Sequence, residues 1–139
     1  MFLNEQRILA IDYGEKRIGI AVTDPLNIFA YPLKTVPNDL QFWNELVKIV
    51  TEYNVIQIVI GYPIKESGEE SFSSKAVLKF KEELEKHIKL PIELIDERYS
   101  SEIAKQRILE TVSSKKKRRD KSLLDKNAAA VILEDYLKN

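Results

Sequence analysis

Cysteine is absent from these 139 residues, and histidine occurs once. The first absence removes disulfides, thiol nucleophiles and thiolate zinc sites together. The second leaves a serine–histidine triad or a histidine-rich metal site little to work with. The one histidine, His87, stands late in a Lys/Glu-rich helical stretch, where a cation suits the helix C-terminus, and reads as a solvated surface residue. Long apolar runs are missing too: no stretch approaches the roughly 20 residues of a membrane span. Met1-Phe2-Leu3-Asn4-Glu5 lacks the basic and apolar parts of a secretory signal, so a cytoplasmic protein with no membrane partner is expected. Net charge vanishes, 22 Lys+Arg against 22 Asp+Glu, so any attraction for a polyanion has to be local.

What is left for chemistry is carboxylate. Three stand where a charge is out of place. Asp12 closes the apolar run Ile8-Leu9-Ala10-Ile11, Glu97 follows the strand-like Ile92-Glu93-Leu94-Ile95, and Asp125 lies on the apolar stripe of the last helix. Buried carboxylates are costly unless paired or bound to a cation. Three that can converge point to a divalent-metal site, and such a site points to a phosphodiester.

The chain suits a single domain, residues 1–139. Arg7–Asp12 reads as a strand covered on both faces, and Arg17–Asp24 as its hairpin partner across a turn containing Gly14. In that second strand Gly19, Ala21 and Thr23 share a face small enough for a helix to approach closely. Phe29–Val36 is a third strand, placed at an edge by Pro32, which has no N–H to donate. After Pro37, Leu40, Trp43, Leu46, Val47 and Val50 recur at helical spacing, with Asn38 or Asp39 as the cap. Val55–Ile60, ending at Gly61, is a central strand. A loop through Gly68 leads to a helix with Ala76, Phe80, Leu84 and Ile88 on one stripe, then to an edge strand, Ile92–Asp96. A helix from Ser101 carries Ala104, Ile108 and Val112. A basic connector precedes the last helix, Leu123 to about Leu137. Short turns make the first three strands antiparallel, and helical crossovers make the next two parallel. The result is an α/β fold, one mixed sheet with helices packed on it. Asp12, Gly61 and the Asp96-Glu97 pair fall at the C-terminal ends of strands, where open α/β sheets bind ligands.

Each candidate also has a plainer reading. Asp12 could serve only to shape the hairpin beside Gly14. Strand periodicity instead puts it on the face of Ile8 and Ala10, so its charge leaves a covered surface, and Gly14 would let a phosphate or metal approach the backbone. The loop from Gly61 to Gly68 has no phosphate-binding Gly-Lys-Ser/Thr ending. Asp96 and Glu97 precede a helix start, where acids are favoured anyway, and both stay open as the ligand. Ser122-x-x-Asp125 fits a capping box, yet Asp125 shares a stripe with Ala129, Ile132 and Tyr136 that would carry its carboxylate to the strand ends. The run Lys115-Lys116-Lys117-Arg118-Arg119 reads equally as a solvated loop and as a phosphate-binding segment.

In order and spacing, Asp12-Tyr13-Gly14, Lys16-Arg17-Ile18-Gly19, Gly61-x-Pro63 to Gly68, Asp96-Glu97-Arg98 and Asp125-x-x-Ala128-Ala129 resemble the YqgF/RuvX family over nearly the whole chain. The resemblance implies an RNase H-like fold with strand order 3-2-1-4-5. It also implies a divalent-metal nuclease, described in that family as a Holliday junction resolvase and as a nuclease maturing the 5′ end of pre-16S rRNA. It carries the catalytic and metal-holding roles to Asp12, Glu97 and Asp125, with Mg²⁺ or Mn²⁺ as cofactor. The implied partner is nucleic acid, pre-rRNA or branched DNA, and the protein a monomer or homodimer. Ser100-Ser101 stands where the family often has Ser/Thr-Thr, a departure that leaves the acids untouched.

Two hard cations about 3.5–4 Å apart can activate a water and neutralise the leaving oxygen. Mg²⁺ needs few carboxylates besides its waters and phosphate oxygens. Asp12 is assigned the bridging place, with Glu97 and Asp125 completing the two sites. Lys16, Arg17 and Arg98 are candidates for phosphate contacts. Lys115, Lys116, Lys117, Arg118 and Arg119 would hold backbone farther from the cut, adding salt-dependent affinity without reading sequence. Two other classes compete. A phosphotransferase with an Asp-x-Gly hairpin needs two related domains, and the chain has length for one. A non-catalytic RNA-binding module would still bind in chelator and without Asp12.

Overall fold

In the computed structural model, which describes residues 5–63, 72–97, 106 and 121–138, the first third of the chain folds as a meander. Its strands are β1 (Arg7–Asp12), β2 (Arg17–Thr23) and β3 (Ala30–Pro37). Helix α1 (Gln41–Glu52) crosses to β4 (Val55–Pro63), α2 (Phe72–His87) crosses to β5 (Ile92–Glu97), and α3 (Lys121–Lys138) is the last element. The sheet order is β3-β2-β1-β4-β5, antiparallel from β3 to β1 and parallel from β1 to β5. This is the RNase H-like arrangement that the motifs implied, with β3 and β5 at the edges. At Ala21 the β2–β3 register slips by one, leaving Leu33 as the extra residue beside Pro32, so the proline sits at a bulge of an edge strand. The helix expected from Ser101, with Ala104, Ile108 and Val112, and the basic connector after it lie outside the described residues.

Strand alternation divides the sheet between two cores. Leu9, Ile11, Ile18, Ile20, Ile58 and Ile60 face α1 and α2, meeting Phe42, Leu46, Phe80 and Leu84. The other face carries Ala10, Ala21 and Val59 and meets Ala129, Ile132 and Leu133 of α3. Cover on both faces is why β1 and β4 read as continuous apolar runs. Leu46 and Leu84 are fully buried, and each contributes about 1.5–3 kcal/mol by leaving water.

The stripe of α1 is rotated from the expected one. Phe42, Leu46 and Ile49, at i, i+4 and i+7, are the buried residues. Leu40 is 87% exposed and Val47 47% exposed, while Trp43 and Val50 flank the stripe. Phe42 takes the centre because its ring meets Trp43 and Phe80 together, at 5.1 and 5.8 Å between centroids. Of the two expected caps Asp39 forms, since Leu40 already has helical backbone angles, φ −64° and ψ −23°. Asp39 Oδ1 accepts the Gln41 N–H at 2.9 Å, and Asn38 reaches back to the β1–β2 turn. His87 is exposed as expected, and it also stacks on Trp43 with centroids 4.0 Å apart.

At the end of the sheet away from Asp12, one carboxylate holds the β2–β3 turn. Asp24 accepts the N–H groups of Phe29 at 2.6 Å, Ile28 at 2.7 Å and Leu26 at 3.2 Å. The Phe29 N–H above all, then those of Ile28 and Leu26, hold its carboxyl below the usual 3.8. A depressed folded pKa contributes stability above the unfolded value, and that stability is lost as pH falls through the folded value. Asp24→Ala is therefore expected to melt below the parent at neutral pH, with the gap closing as pH drops below 3.8. Urea midpoints across an acid series measure it. A constant gap would assign the loss to packing rather than to the carboxylate.

Candidate active site

Parallel pairing brings the C-terminal ends of β1, β4 and β5 to one rim, at Asp12, Pro63 and Glu97. β2 runs the other way and enters at that rim with Arg17. Asp12 alternates with Ile8 and Ala10, which pack against α3, so its half-buried carboxylate belongs to the α3 face. Across the ladder its partner is Gly19. The register Ile11↔Ile60, carried one residue on, sets Gly61 on its other side. Two glycines flank Asp12, and neither neighbouring strand sets a side chain beside it.

Gly19 decides where α3 can lie. A Cβ added there would fall 2.1 Å from the Asp125 carbonyl oxygen and 2.4 Å from its carbon, a backbone collision that no rotamer relieves. The α3 backbone at Asp125 therefore rests on the strand position opposite Asp12. From this seat Asp125 Oδ2 accepts a hydrogen bond from Arg17 Nε at 3.1 Å. The two side chains are 35% and 23% exposed. The Ser122 side chain, and with it the capping box expected there, lies outside the described residues. The backbone of α3 is helical from Lys121, which puts Asp125 in its second turn. The expected stripe does hold, since Ala129, Ile132 and Tyr136 all pack on the sheet. Burial first, then the Glu93 charge and hydrogen bond, push the Tyr136 phenol up.

The glycine of the β1–β2 turn has a structural cause. A Cβ at Gly14 would stand 2.5 Å from the Arg17 carbonyl oxygen, so tightness of the turn, rather than ligand approach, accounts for the residue. Lys16 is exposed in this turn. Two supporting residues were not foreseen. Asn38 donates from Nδ2 to the Gly14 carbonyl at 2.8 Å, and its N–H donates to the Lys16 carbonyl at 2.9 Å. Buried Ser74 donates from Oγ to the Pro63 carbonyl, tying the start of α2 to the rim. Asn38 carried a misleading signal, that of a cap, and Ser74 carried none.

Register separates the two acids of β5. Asp96 alternates with Ile92 and Leu94, which pack on the α1–α2 side, and it is exposed. Position 97 follows the register of Glu93 and Ile95, and its backbone pairs with Pro63; Ile95 packs on the α3 side. The Glu97 side chain, Arg98 and Lys115–Arg119 lie outside the described residues. Among the described residues no group of three or more His, Cys, Asp or Glu could hold a metal ion. The described part of the expected set is Asp12 with Asp125. Both are hard oxygen donors, and a cation, the Arg17 guanidinium, already stands at Asp125. Such a donor set suits a hard divalent ion.

A family model described as "RuvX: Holliday junction resolvase" matches residues 6–139. This chain belongs to the RuvX family. A RuvX relative, the "Putative pre-16S rRNA nuclease" of Dictyoglomus turgidum, is 42% identical over 134 residues, covering 94% of this chain and 93% of its own. The protein of the same name from Phocaeicola vulgatus is 41% identical over 134 residues, covering 96% of each chain. Among solved structures, RuvC of T. thermophilus in complex with a Holliday junction substrate superposes with a TM-score of 0.57 at 14% identity, over 96% of this chain and 94% of that one. That likeness is one of fold.

In this RuvX chain Gly19→Ala is expected to force α3 and Asp125 off the sheet together. The cost should be about 1–3 kcal/mol, the range for overpacking a filled interior. A urea melt checks it. Parent-like stability would show that α3 does not rest on Gly19.

Proposed function

We propose that this chain is a divalent-metal-dependent endonuclease that hydrolyses phosphodiester bonds in structured nucleic acid, and that it matures the 5′ end of pre-16S rRNA in ribosome biogenesis. Family membership supports the hydrolase activity, and the shared name of the relatives supports the rRNA substrate. The observation that carries the site is the seating of the Asp125 backbone on Gly19, the ladder partner of Asp12. A second reading, resolution of branched DNA, draws on the description of the family model. The two readings share the site and differ in what it receives.

Asp12, Glu97 and Asp125 are the residues that would hold Mg²⁺ or Mn²⁺, as RNase H-like nucleases generally depend on metal. When bound, the metal supplies an activated water and neutralises charge on the leaving oxygen. Lys16, Arg17 and Arg98 take phosphate oxygens near the cut, and Lys115–Arg119 hold backbone beyond it. The protein works in the cytoplasm as one domain, residues 1–139, alone or as a homodimer. Among the described residues no helix is long and apolar enough to cross a membrane.

Cleavage of a pre-16S rRNA fragment and of a four-way DNA junction, side by side with Mg²⁺ and with chelator, tests the proposal. Cutting of neither, or cutting that survives chelation, would overturn it. Asp12→Asn keeps the shape and loses the charge, so it is expected to fold like the parent and to lose cleavage by 100-fold or more, on the order of the loss from removing one electrostatic catalytic group. A thermal melt run beside the nuclease assay reads both, and parent-level cutting by the folded variant would sink the metal site.

Neutralising Lys115–Arg119 is expected to weaken binding evenly across sequences and to flatten its salt dependence. The slope should fall by about 0.9 per lost duplex phosphate contact and about 0.7 per single-strand contact. Titrations across a salt series in Ca²⁺ measure it, and an unchanged slope would make the run a connector.

A further inference from the structure

Arg17 and Asp125 pose a conflict if Asp125 is to hold a metal, because the carboxylate oxygen that a cation needs already accepts the Arg17 Nε proton at 3.1 Å. The pair lacks the features that make an ion pair permanent. It is made through Nε alone, not through the parallel two-bond fork of a strong Arg–carboxylate pair. Both side chains are partly exposed, where ion pairs contribute little beyond about 1 kcal/mol. The Arg17 backbone, by contrast, is fixed, paired with Pro37 in the β2–β3 ladder. Its side chain can swing without moving the chain.

We infer that Arg17 is an exchangeable counter-ion: it neutralises Asp125 while the site is empty of metal, yields the carboxylate to a divalent ion, and then turns its guanidinium to the substrate phosphate. Gly19 is the ladder partner of Asp12 and the seat of the Asp125 backbone, so two acids share this end of the sheet, and like charges set near each other are eased by a cation beside them. A guanidinium, always charged and carrying five donors, serves a carboxylate and a phosphate equally well. Metal binding and readiness for the phosphate then become one event. This inference rests on the metal-site reading above.

Calorimetric titration of Ca²⁺ into metal-free protein tests it without any turnover. Arg17→Gln is expected to bind Ca²⁺ up to about five-fold more tightly, the factor matching the ~1 kcal/mol upper end for a partly exposed pair. Arg17→Met should behave alike and guards against a defect peculiar to glutamine; thermal melts establish that each variant is folded. Lys16→Gln removes a neighbouring charge that is not bonded to Asp125, and should change the affinity less. In an Asp125→Asn background the gain from Arg17→Gln should disappear. Nucleic-acid affinity should rise on adding Ca²⁺ to the parent, and rise less in Arg17→Gln. Equal or weaker Ca²⁺ binding by Arg17→Gln would overturn the exchange and make Arg17 a fixed support of Asp125. So would a gain matched by Lys16→Gln. A parent that binds no Ca²⁺, or binds it equally well as Asp12→Asn, would instead overturn the metal site, and the exchange with it.

Discussion

The seating of the α3 backbone on Gly19 is the contact on which the site depends. It is backbone against backbone, with the Asp125 carbonyl where a Cβ would be, so no side-chain adjustment can reproduce it with a larger residue. Its neighbours are chosen to permit it. Ala10 and Ala21 lie on the sheet side, and Ala129 and Ala130 on the helix side. Little volume separates the two layers, and burial of Ile132 and Leu133 holds the helix to the sheet. Asp125 reaches the rim because its own main chain is pinned there.

The two faces of the sheet divide the work. Isoleucines and leucines packed on α1 and α2 supply most of the apolar burial, with Phe42, Trp43 and Phe80 locking the helices to one another. The α3 face is poorer in apolar bulk and carries Asp12, Arg17 and Asp125. Most of the apolar burial and the candidate site thus lie on opposite sides of the same strands. Ile11 and Asp12 are adjacent in the chain, yet one belongs to the core and the other to the rim.

Strands were legible through their apolar patterns. Arg7–Asp12 and Val55–Ile60 were placed by continuous apolar runs and Ile92–Asp96 by partial alternation, and Pro32 marked its edge through the N–H it lacks. The small face of Gly19, Ala21 and Thr23 announced a close helix before any helix was assigned to it. Helix α1 was misjudged because its many apolar positions allow more than one rotation. Phe80, from a different element, decides for Phe42, and no local pattern contains that information. The choice between Asn38 and Asp39 as cap was open for a related reason. Asn38 is drawn to Gly14 across 24 residues of chain, and that partner exists only after the hairpin has closed. Asp96 and Glu97 could not be told apart until pairing with β4 set their register.

Arg17 and Asp125 are 108 residues apart. At a synthesis rate of about 5–20 residues per second, roughly 5–20 seconds separate their arrival on a growing chain. Every strand of the sheet has been made before Asp125 is added. A nascent chain can thus assemble its sheet while half of the carboxylate pair does not yet exist. A site that needs both acids would therefore be complete only once the final helix has docked.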